Sequence, residues 1–308
     1  IDLSDNSINV LWPDGHKTAI SLQEIKNLKK PRKLEKILWT NSFTPNQYNW
    51  RNFIDENDYA INAITDFITK GAIILNSSPC VPNLLEELAQ RLGPIREVLF
   101  ERIHNVSLDC DVYNIAHTSL ELPPHNDFAS YTWPPSVQAL HMLVNECEGG
   151  KSVIVDGYAV LKDLRKDYPQ FFNTLSTFSV PFREFDKDNE TFANEPMIKL
   201  NAEKEVIGFR FSNQLMQMIN PDNSNVALFY ESYHELCKRV NSEKYKSRFR
   251  LESGNILIVH GHRILHGRDE FIPDGNRHLQ DAYYEMDNVE NNLYILKNKE
   301  INSFEKKS

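Results

Sequence analysis

A histidine and an aspartate separated by one residue occur in the segment Pro123-Pro124-His125-Asn126-Asp127. If this segment is extended, both side chains point to the same face, because side chains alternate along a strand. One imidazole and one carboxylate side by side suit a first-row transition metal, and a second histidine would complete a facial triad with open coordination positions. A single His-x-Asp pattern arises often by chance, and taken alone it is more typical of a surface turn.

The second histidine has to come from a distant part of the chain. His266 follows the apolar run 256–259 and is next to Gly267, so it could point from a strand end into a barrel mouth. His260 and His262 are alternatives, and they would share one face of a strand. Spacing alone does not decide between His262 and His266.

Two further residues could bind an anion. Arg277 lies eleven residues beyond the last of these histidines, at the start of the next predicted strand. There it could form a bidentate pair with the distal carboxylate of a dicarboxylic cosubstrate. Ser152 follows the tight turn 149–151 and could donate to the same carboxylate. The alternatives are a surface pair of Arg277 with Asp274 or Glu270, and a simple hairpin turn at 149–152.

The composition is that of a soluble globular protein, with 41% apolar and 25% charged residues in a chain of 308. The net charge of −9 argues against electrostatic binding to nucleic acid or to anionic lipid. The apolar runs are too short to span a membrane, and no signal peptide opens the chain. The four cysteines are far apart and form no CxxC pair, which predicts reduced thiols in a cytoplasmic protein.

The elements that must position these residues can be outlined from the sequence. Residues 8–22 predict a small β unit around the turn 13–15. With a lysine-rich linker they form a predicted first domain, 1–36, and residues 37–308 form the second. Helices are predicted at 59–69 and after Asn83, which we expect to cap a helix that ends at Gly93.

From about residue 95 the pattern changes to short, β-branched apolar runs bounded by Pro, Gly and Asn. These runs are 137–144, 152–156, 255–260 and 278–286. Two helical insertions, 159–175 and 226–240, interrupt them. The pattern predicts a mainly β fold with helical insertions, an antiparallel sandwich or barrel, and not a doubly wound sheet. No nucleotide-binding glycine motif is present.

The order of these motifs resembles that of the taurine dioxygenase superfamily, and within it the γ-butyrobetaine and trimethyllysine hydroxylase branch. Residues 125–141 are similar to the branch's HTD…PPGVQLLH, and residues 149–157 to its GG(D/E)SxxVDG. Residues 265–268 match LHGR, and residues 277–283 are similar to RHLxGxY. Residues 12–16 are similar to part of the branch's small leading domain.

The resemblance implies a double-stranded β-helix, or jelly-roll, core that holds Fe(II) through His125, Asp127 and His266. It implies Arg277 and Ser152 as contacts of 2-oxoglutarate. The implied reaction consumes O2, releases succinate and CO2, and hydroxylates a small zwitterionic metabolite such as a betaine, an amino acid or an aminoalkylphosphonate. Hydroxylation is favoured over chlorination because family halogenases lack the carboxylate, whereas desaturation and ring formation stay open. The resemblance is also compatible with a homodimer.

Two alternatives come from other functional classes. A catalytically silent jelly-roll binding module would lack a metal ligand or the cosubstrate arginine, and the sequence has both. A metal-dependent hydrolase built on His260, His262 and His266 would keep its metal after loss of His125.

Several departures from the branch bear on the substrate. The first cysteine is Cys80, so the zinc site that many relatives carry in their leading domain is expected to be lost. Tyr283 matches one position of the aromatic cage that surrounds a trimethylammonium group. His117 and His104 stand where two other aromatic residues are expected. A neutral imidazole is a weaker cation–π face and can donate hydrogen bonds, so a less methylated amine, a carboxylate or a phosphonate would also fit.

Two asparagines complete the set of candidate substrate contacts. Asn114 matches a residue that contacts the substrate carboxylate in the butyrobetaine enzymes. Asn213 falls near another such position, and its alternative role is that of a turn residue.

Overall fold

The computed structural model describes residues 1–4, 6–27, 34–99, 101–107 and 115–305. The chain divides into two compact units, 1–35 and 36–308. The first unit is an antiparallel sheet of β1 (Asp2–Leu3), β2 (Ser7–Leu11) and β3 (Lys17–Ser21), followed by helix α1 (Leu22–Asn27). The β2–β3 hairpin reverses at the Pro-Asp-Gly turn, where Gly15 adopts a φ of 85° that glycine tolerates best.

The second unit is mainly β with helical insertions, as the sequence predicted. Its strands, numbered in chain order, are β4 (Asn46–Asn49), β5 (Ala72–Asn76), β6 (His104–Ser107), β7 (Leu122–His125), β8 (Val137–Asn145), β9 (Glu148–Gly149), β10 (Ser152–Asp156), β11 (Val180–Phe185), β12 (Glu190–Glu195), β13 (Ile198–Leu200), β14 (Val206–Phe209), β15 (Lys246–Phe249), β16 (Asn255–His260), β17 (Ile264–Arg268), β18 (Phe271–Ile272) and β19 (Arg277–Tyr284).

Two larger sheets organise this unit within the described residues. One has the order β4-β5-β16-β8-β19-β6 and is antiparallel except for the β4–β5 pair. The other has the order β15-β10-β17-β7 and is antiparallel throughout. Strands β11 and β12 form a separate hairpin, as do β13 and β14. The neighbours in each sheet are mostly distant in sequence, so the sheets bring together segments from the whole unit.

The helices of this unit are α2 (Trp50–Asp55), α3 (Asn57–Lys70), α4 (Ala89–Leu92), α5 (Gly157–Asp167), α6 (Pro169–Thr177), α7 (Val226–Val240) and α8 (Met286–Glu305). The predicted helices 59–69 and 226–240 are confirmed as α3 and α7. The predicted insertion 159–175 is two helices, because Pro169 cannot continue α5 and starts α6 instead. None of the described helices is long and apolar enough to cross a bilayer.

The prediction of a capped helix after Asn83 was wrong in detail. Asn83 has a φ of 64° and its side chain caps nothing; a 3-10 turn, Leu84–Leu88, follows it before the short helix α4. The backbone N–H of Asn83 instead donates to Oε1 of Gln280, 2.8 Å away. Gly93 does end α4, with a φ of 91°.

The thiols are free where the structure describes them. Cys147 is buried, Cys237 is half-buried and Cys80 is exposed. Cys110 lies outside the described residues.

A buried ion pair joins the β16–β17 turn to the start of α5. The guanidinium of Arg263 donates to both carboxylate oxygens of Asp156, at 3.1 and 2.8 Å, and both side chains are almost fully buried. Arg263 also donates to the carbonyls of Thr69 and Ile37. Asp156 caps α5 through the backbone N–H of Tyr158. This pair therefore holds the turn that connects β16 to β17.

We expect Arg263→Ala to lower the free energy of unfolding by about 3–5 kcal/mol, because it leaves a buried carboxylate without its cation. Denaturant unfolding followed by circular dichroism measures this. Arg51→Ala is the control: Arg51 pairs with Asp55 on the surface of α2, where the loss should be below about 0.5 kcal/mol. Equal losses in the two variants would contradict the prediction.

Candidate active site

The three candidate metal ligands meet at the edge of the four-stranded sheet. His125 is the last residue of β7, and His266 lies in the middle of β17, directly opposite it in the strand pairing. Nε2 of His125 is 3.1 Å and Nε2 of His266 is 3.6 Å from Oδ1 of Asp127. Within the described residues, these three side chains form the only group of this kind whose ligand atoms all lie within 4.8 Å of one another.

The local backbone explains how Asp127 reaches this position. The extended segment predicted for 125–127 ends at His125, and Asp127 lies in the turn that follows. The turn includes Phe128, a non-glycine residue with a φ of 52°. The carboxylate therefore joins the imidazoles through a turn and not through strand alternation.

Gly267 permits the close approach of β7 and β17. A Cβ at this residue would lie 2.5 Å from the carbonyl oxygen of Leu122 and 3.0 Å from the nitrogen of Pro124. Any larger side chain would push β7 away and separate His125 from His266. The glycine next to His266 in the sequence therefore has a steric role in bringing the two imidazoles together.

The three ligands form a site that a divalent cation can occupy. Burial acts to lower the pKa of His125, but the neighbouring Asp127 raises it above its usual value, and a metal ion would replace that proton. Nδ1 of His125 lies 2.9 Å from the carbonyl of Pro123, and a proton on Nδ1 leaves Nε2 free to bind a metal. Burial lowers the pKa of His266 to about 4, so its imidazole is neutral. Burial alone would raise the pKa of Asp127, but the neighbouring His266 and His125 and the hydroxyl of Tyr283 hold it below its usual value. Two imidazoles and one carboxylate fit the donor set of a non-haem Fe(II) site.

A second layer of side chains holds the carboxylate of Asp127. Its Oδ2 accepts from Nε2 of Gln138 at 2.7 Å and from the hydroxyl of Tyr283 at 2.8 Å. The same two donors also contact Oδ2 of Asp281, at 2.9 and 2.8 Å. These bonds turn Oδ1 of Asp127 toward the histidines.

We expect Tyr283→Phe to weaken Fe(II) binding by roughly 10- to 100-fold, because outer partners of metal ligands contribute about that much to affinity. An anaerobic Fe(II) titration against a competing chelator measures the effect. Tyr284→Phe is the matched control, since its hydroxyl donates to the carbonyl of Leu85 and does not contact the triad. It should lower stability and leave Fe(II) affinity unchanged; the same affinity loss in both variants would count against the orienting role of Tyr283.

The triad opens into a cavity of about 550 Å³. Arg277, Ser152 and Arg268 line this cavity, together with the apolar side chains of Leu140, Leu257 and Leu279. Arg277 is the first residue of β19 and is 9% exposed, so it is not the surface residue of the alternative interpretation. Burial lowers its pKa to about 10, and among the described residues no carboxylate pairs with its guanidinium. A buried guanidinium in these surroundings is suited to bind an anionic ligand.

The structure brings some of the other predicted residues to the cavity. His104 and Tyr283 line it. His117 is buried beside His104, with ring centroids 5.9 Å apart and the rings perpendicular. Asn213 is exposed and accepts from the hydroxyl of Tyr233; its neighbours in sequence line the cavity and it does not. Asn114 lies outside the described residues.

The alternative histidines do not join the metal cluster. Nε2 of His262 lies 2.8 Å from the carbonyl of Pro134, and burial lowers the pKa values of both His262 and His260. Neither belongs to a group of candidate ligands in the described part of the chain. The hydrolase alternative built on His260, His262 and His266 was therefore wrong.

Three residues of the site escaped the sequence analysis. Gln138 is the glutamine of the segment that is similar to PPGVQLLH, but the sequence analysis gave it no role. Glu184 comes from the β11–β12 hairpin, which carries no motif. Asp281 could have been found, because it stands at the glycine of the RHLxGxY pattern and two residues before Tyr283. Alternation along β19 then places both on one face.

Comparison with known proteins agrees with this geometry. The family described as Taurine catabolism dioxygenase TauD, TfdA family, matches residues 39–283. The chain belongs to this family. It is 28% identical to a γ-butyrobetaine dioxygenase from Pseudomonas sp. (strain AK-1), over 95% of this chain and 79% of that protein. It is 26% identical to the mitochondrial trimethyllysine dioxygenase of Bos taurus, over 96% of this chain and 73% of that protein.

Solved structures share the fold of this TauD/TfdA-family chain. The non-haem iron oxygenase OrfP, in complex with Fe and α-ketoglutaric acid, superposes with a TM-score of 0.58 at 13% identity, covering 79% of this chain and 94% of that one. An asparagine oxygenase in complex with Fe(II), a hydroxyasparagine and succinate gives a TM-score of 0.56 at 16% identity, covering 78% and 93%. The protein is thus a 2-oxoglutarate-dependent oxygenase that uses Fe(II), and not a silent binding module.

Proposed function

We propose that this enzyme hydroxylates a small zwitterionic metabolite, with His125, Asp127 and His266 as the Fe(II) ligands. The observation that carries the proposal is that the triad and the buried guanidinium of Arg277, which pairs with no carboxylate among the described residues, line one cavity of about 550 Å³. The relatives named for γ-butyrobetaine and trimethyllysine act on zwitterionic compounds. A betaine, an amino acid or an aminoalkylphosphonate is therefore the proposed substrate class.

Arg277 and Ser152 are proposed to bind the distal carboxylate of 2-oxoglutarate. The planar guanidinium matches a carboxylate in a bidentate pair, and the hydroxyl of Ser152 can donate a further hydrogen bond. Both residues line the cavity that contains the triad. In the part of the chain that the structure describes, this buried cation has no carboxylate partner, and such a cation gains most from an anionic ligand, which supports this assignment.

When bound, Fe(II) and 2-oxoglutarate supply the oxidising chemistry, in which O2 is consumed, succinate and CO2 are released and a C–H bond of the substrate is oxidised. The residues of this chain bind and orient the reactants. Gln138 and Tyr283 fix the carboxylate of Asp127. Leu140, Leu257 and Leu279 form an apolar wall of the cavity, against which the reacting carbon of the substrate would be shielded from water.

The carboxylate of Asp127 bears on the type of reaction. Family halogenases lack this ligand, so its presence favours hydroxylation over chlorination. A desaturase or cyclase of the same cofactor class is the alternative, because both reactions begin with loss of a hydrogen from substrate.

The proposal extends to the architecture. We infer that the two larger sheets form a double-stranded β-helix, or jelly-roll, core, and that the three-stranded unit corresponds to the small leading domain of the branch without its zinc site. Residues 1–36 contain no cysteine and only one histidine, which supports the loss of zinc. A homodimer, a cytoplasmic location and the lack of nucleic-acid or membrane partners stay predictions from the sequence.

An anaerobic titration of the metal-free protein with Fe(II) and 2-oxoglutarate tests the proposed function. We expect the weak visible charge-transfer band of the chelate, followed in air by formation of succinate. His125→Ala should show neither. A folded wild-type protein without the band, or full succinate formation in His125→Ala, would refute the proposed site.

A further inference from the structure

Asp281 is a buried acid on the wall of the cavity. It is 5% exposed. Its Oδ2 accepts from Nε2 of Gln138 and lies 2.8 Å from the hydroxyl oxygen of Tyr283, whose one proton is donated either to this carboxylate or to that of Asp127. Its Oδ1 has no hydrogen-bond partner within the part of the chain that the structure describes. A buried acceptor without a partner destabilises the folded protein, and more so when it is charged. Asp281 lines the cavity, so a ligand that reaches Oδ1 would satisfy this acceptor.

A second acid lies on the wall of the same cavity. Glu184, on β11, lines the cavity and accepts from the hydroxyl of Ser130. Burial raises the pKa of both Glu184 and Asp281. Both carboxylates thus lie where the negative charge is costly unless a cation approaches.

The arginines that line the cavity form no ion pair with Asp281 or Glu184 in the described part of the chain. Arg183 pairs with Glu190 in the β11–β12 hairpin. Arg268 donates to the carbonyls of Ala116, Thr118 and Leu120. Arg277 is four residues from Asp281 along β19, a separation of roughly 13 Å at the usual rise of a strand. The cavity therefore has a basic end and an acidic end.

We propose that Asp281, with Glu184, binds a protonated amine of the substrate that carries at least one N–H. The inference rests on the proposed function and narrows it to primary, secondary or tertiary ammonium compounds. A carboxylate with an unused acceptor favours an N–H donor, whereas a quaternary ammonium has none to give and depends on aromatic faces. This acid stands where the RHLxGxY pattern has glycine, so the contact is a property of this chain.

The position of the acid sets the position of the amine. Nε2 of Gln138 contacts both Asp127 and Asp281, so the contacted oxygens of the two carboxylates lie within about 6 Å of each other. His104 is opposite Asp281 in the pairing of β6 with β19, and burial lowers its pKa, so it faces the cavity as a neutral imidazole. The amine would thus bind near the triad, away from the cosubstrate at Arg277.

The test uses full-length enzyme loaded anaerobically with Fe(II) and 2-oxoglutarate. Binding is read from the change in the charge-transfer band. The probes are 4-aminobutyrate and 2-aminoethylphosphonate, which carry a single amine each, together with the mono-, di- and trimethylated forms of that amine. We expect the members with an N–H to bind at least about 10-fold more tightly than the trimethylated member of the same series.

Variants assign the effect to the acids. Asp281→Asn should weaken binding of the N–H members by about 10- to 100-fold, as loss of a charge-assisted hydrogen bond would, and change the trimethylated members little. Asp281→Gly should weaken binding of the N–H members to the same extent, and Glu184→Gln should weaken it less. Asp58→Asn makes the same change on the exposed surface of α3 and should bind every probe as the wild type does.

The outcomes are separable. Equal binding of trimethylated and N–H members, an unchanged ratio in Asp281→Asn, or an intact band that no probe perturbs would each overturn the inference. Weaker Fe(II) binding in Asp281→Asn with unchanged amine preference would also overturn it, and would show that Asp281 only positions Asp127. Absence of the band in wild type refutes the proposed function itself. If Asp281→Asn does not fold, the inference is tested by the binding of the methylated probes to wild type and to Glu184→Gln.

Discussion

His266→Ala is expected to reduce Fe(II) affinity and succinate formation by more than about 100-fold, because the loss of an outer partner of a metal ligand already costs 10- to 100-fold. The side chain lies 3.6 Å from the carboxylate of Asp127 and opposite His125 across the β7–β17 pair. Two ligands cannot hold the ion in the facial arrangement that three provide. Anaerobic competition with a chelator gives the affinity, and 2-oxoglutarate consumption in air gives the turnover.

His262→Ala is the matched control, because it removes the same side chain four residues earlier. His262 is buried and bonded to the carbonyl of Pro134, so we expect a loss of stability and unchanged Fe(II) affinity. If His262→Ala lost the metal and His266→Ala kept it, the triad described here would be wrong.

Arg277→Ala is expected to raise the KM for 2-oxoglutarate by roughly 30-fold to several thousand-fold. Truncating one partner of a buried, hydrogen-bonded charge pair costs about 2–5 kcal/mol, and each 1.4 kcal/mol is a factor of ten. Arg277→Lys retains the charge and loses the bidentate contact, so we expect its KM to lie between those of wild type and Arg277→Ala. Steady-state kinetics with varied 2-oxoglutarate measures both.

Two further measurements separate cosubstrate binding from a general defect. Fe(II) affinity without 2-oxoglutarate should be the same in Arg277→Ala and in wild type. The free energy of unfolding without ligands should not fall, because the wild-type guanidinium is buried and pairs with no carboxylate within the described ranges. An unchanged KM in a folded Arg277→Ala protein would show that the cosubstrate carboxylate binds elsewhere.

Local sequence patterns were sufficient for most of the elements. The apolar spacing of α3 and α7 predicted both helices, and the alternation in β2 and β3 predicted their hairpin. The details that failed depend on long-range contacts. Asn83 does not cap a helix, because its backbone is left-handed (φ 64°) and not extended as an N-cap requires, and its N–H bonds to Gln280, about two hundred residues away in the sequence.

The substrate contacts illustrate the same limit. The resemblance suggested Asn213, but the hydroxyl of Tyr233 on α7 holds its side chain outside the cavity. Glu184 reaches the cavity because the β11–β12 hairpin lies along its rim, and no motif marks that hairpin. Packing between separate elements, and not the identity of the residue, determined which polar side chains line the cavity.

The sequence by itself determined the kinds of ligand, their order along the chain and the arginine that begins β19. It could not choose between His262 and His266, which would share a face if the strand were continuous. The tertiary structure decides: the chain turns at 261–263, so β17 begins at Ile264 and only His266 pairs with His125. Strand register depends on partners far away in sequence, and register decides which of two alternating residues faces the metal.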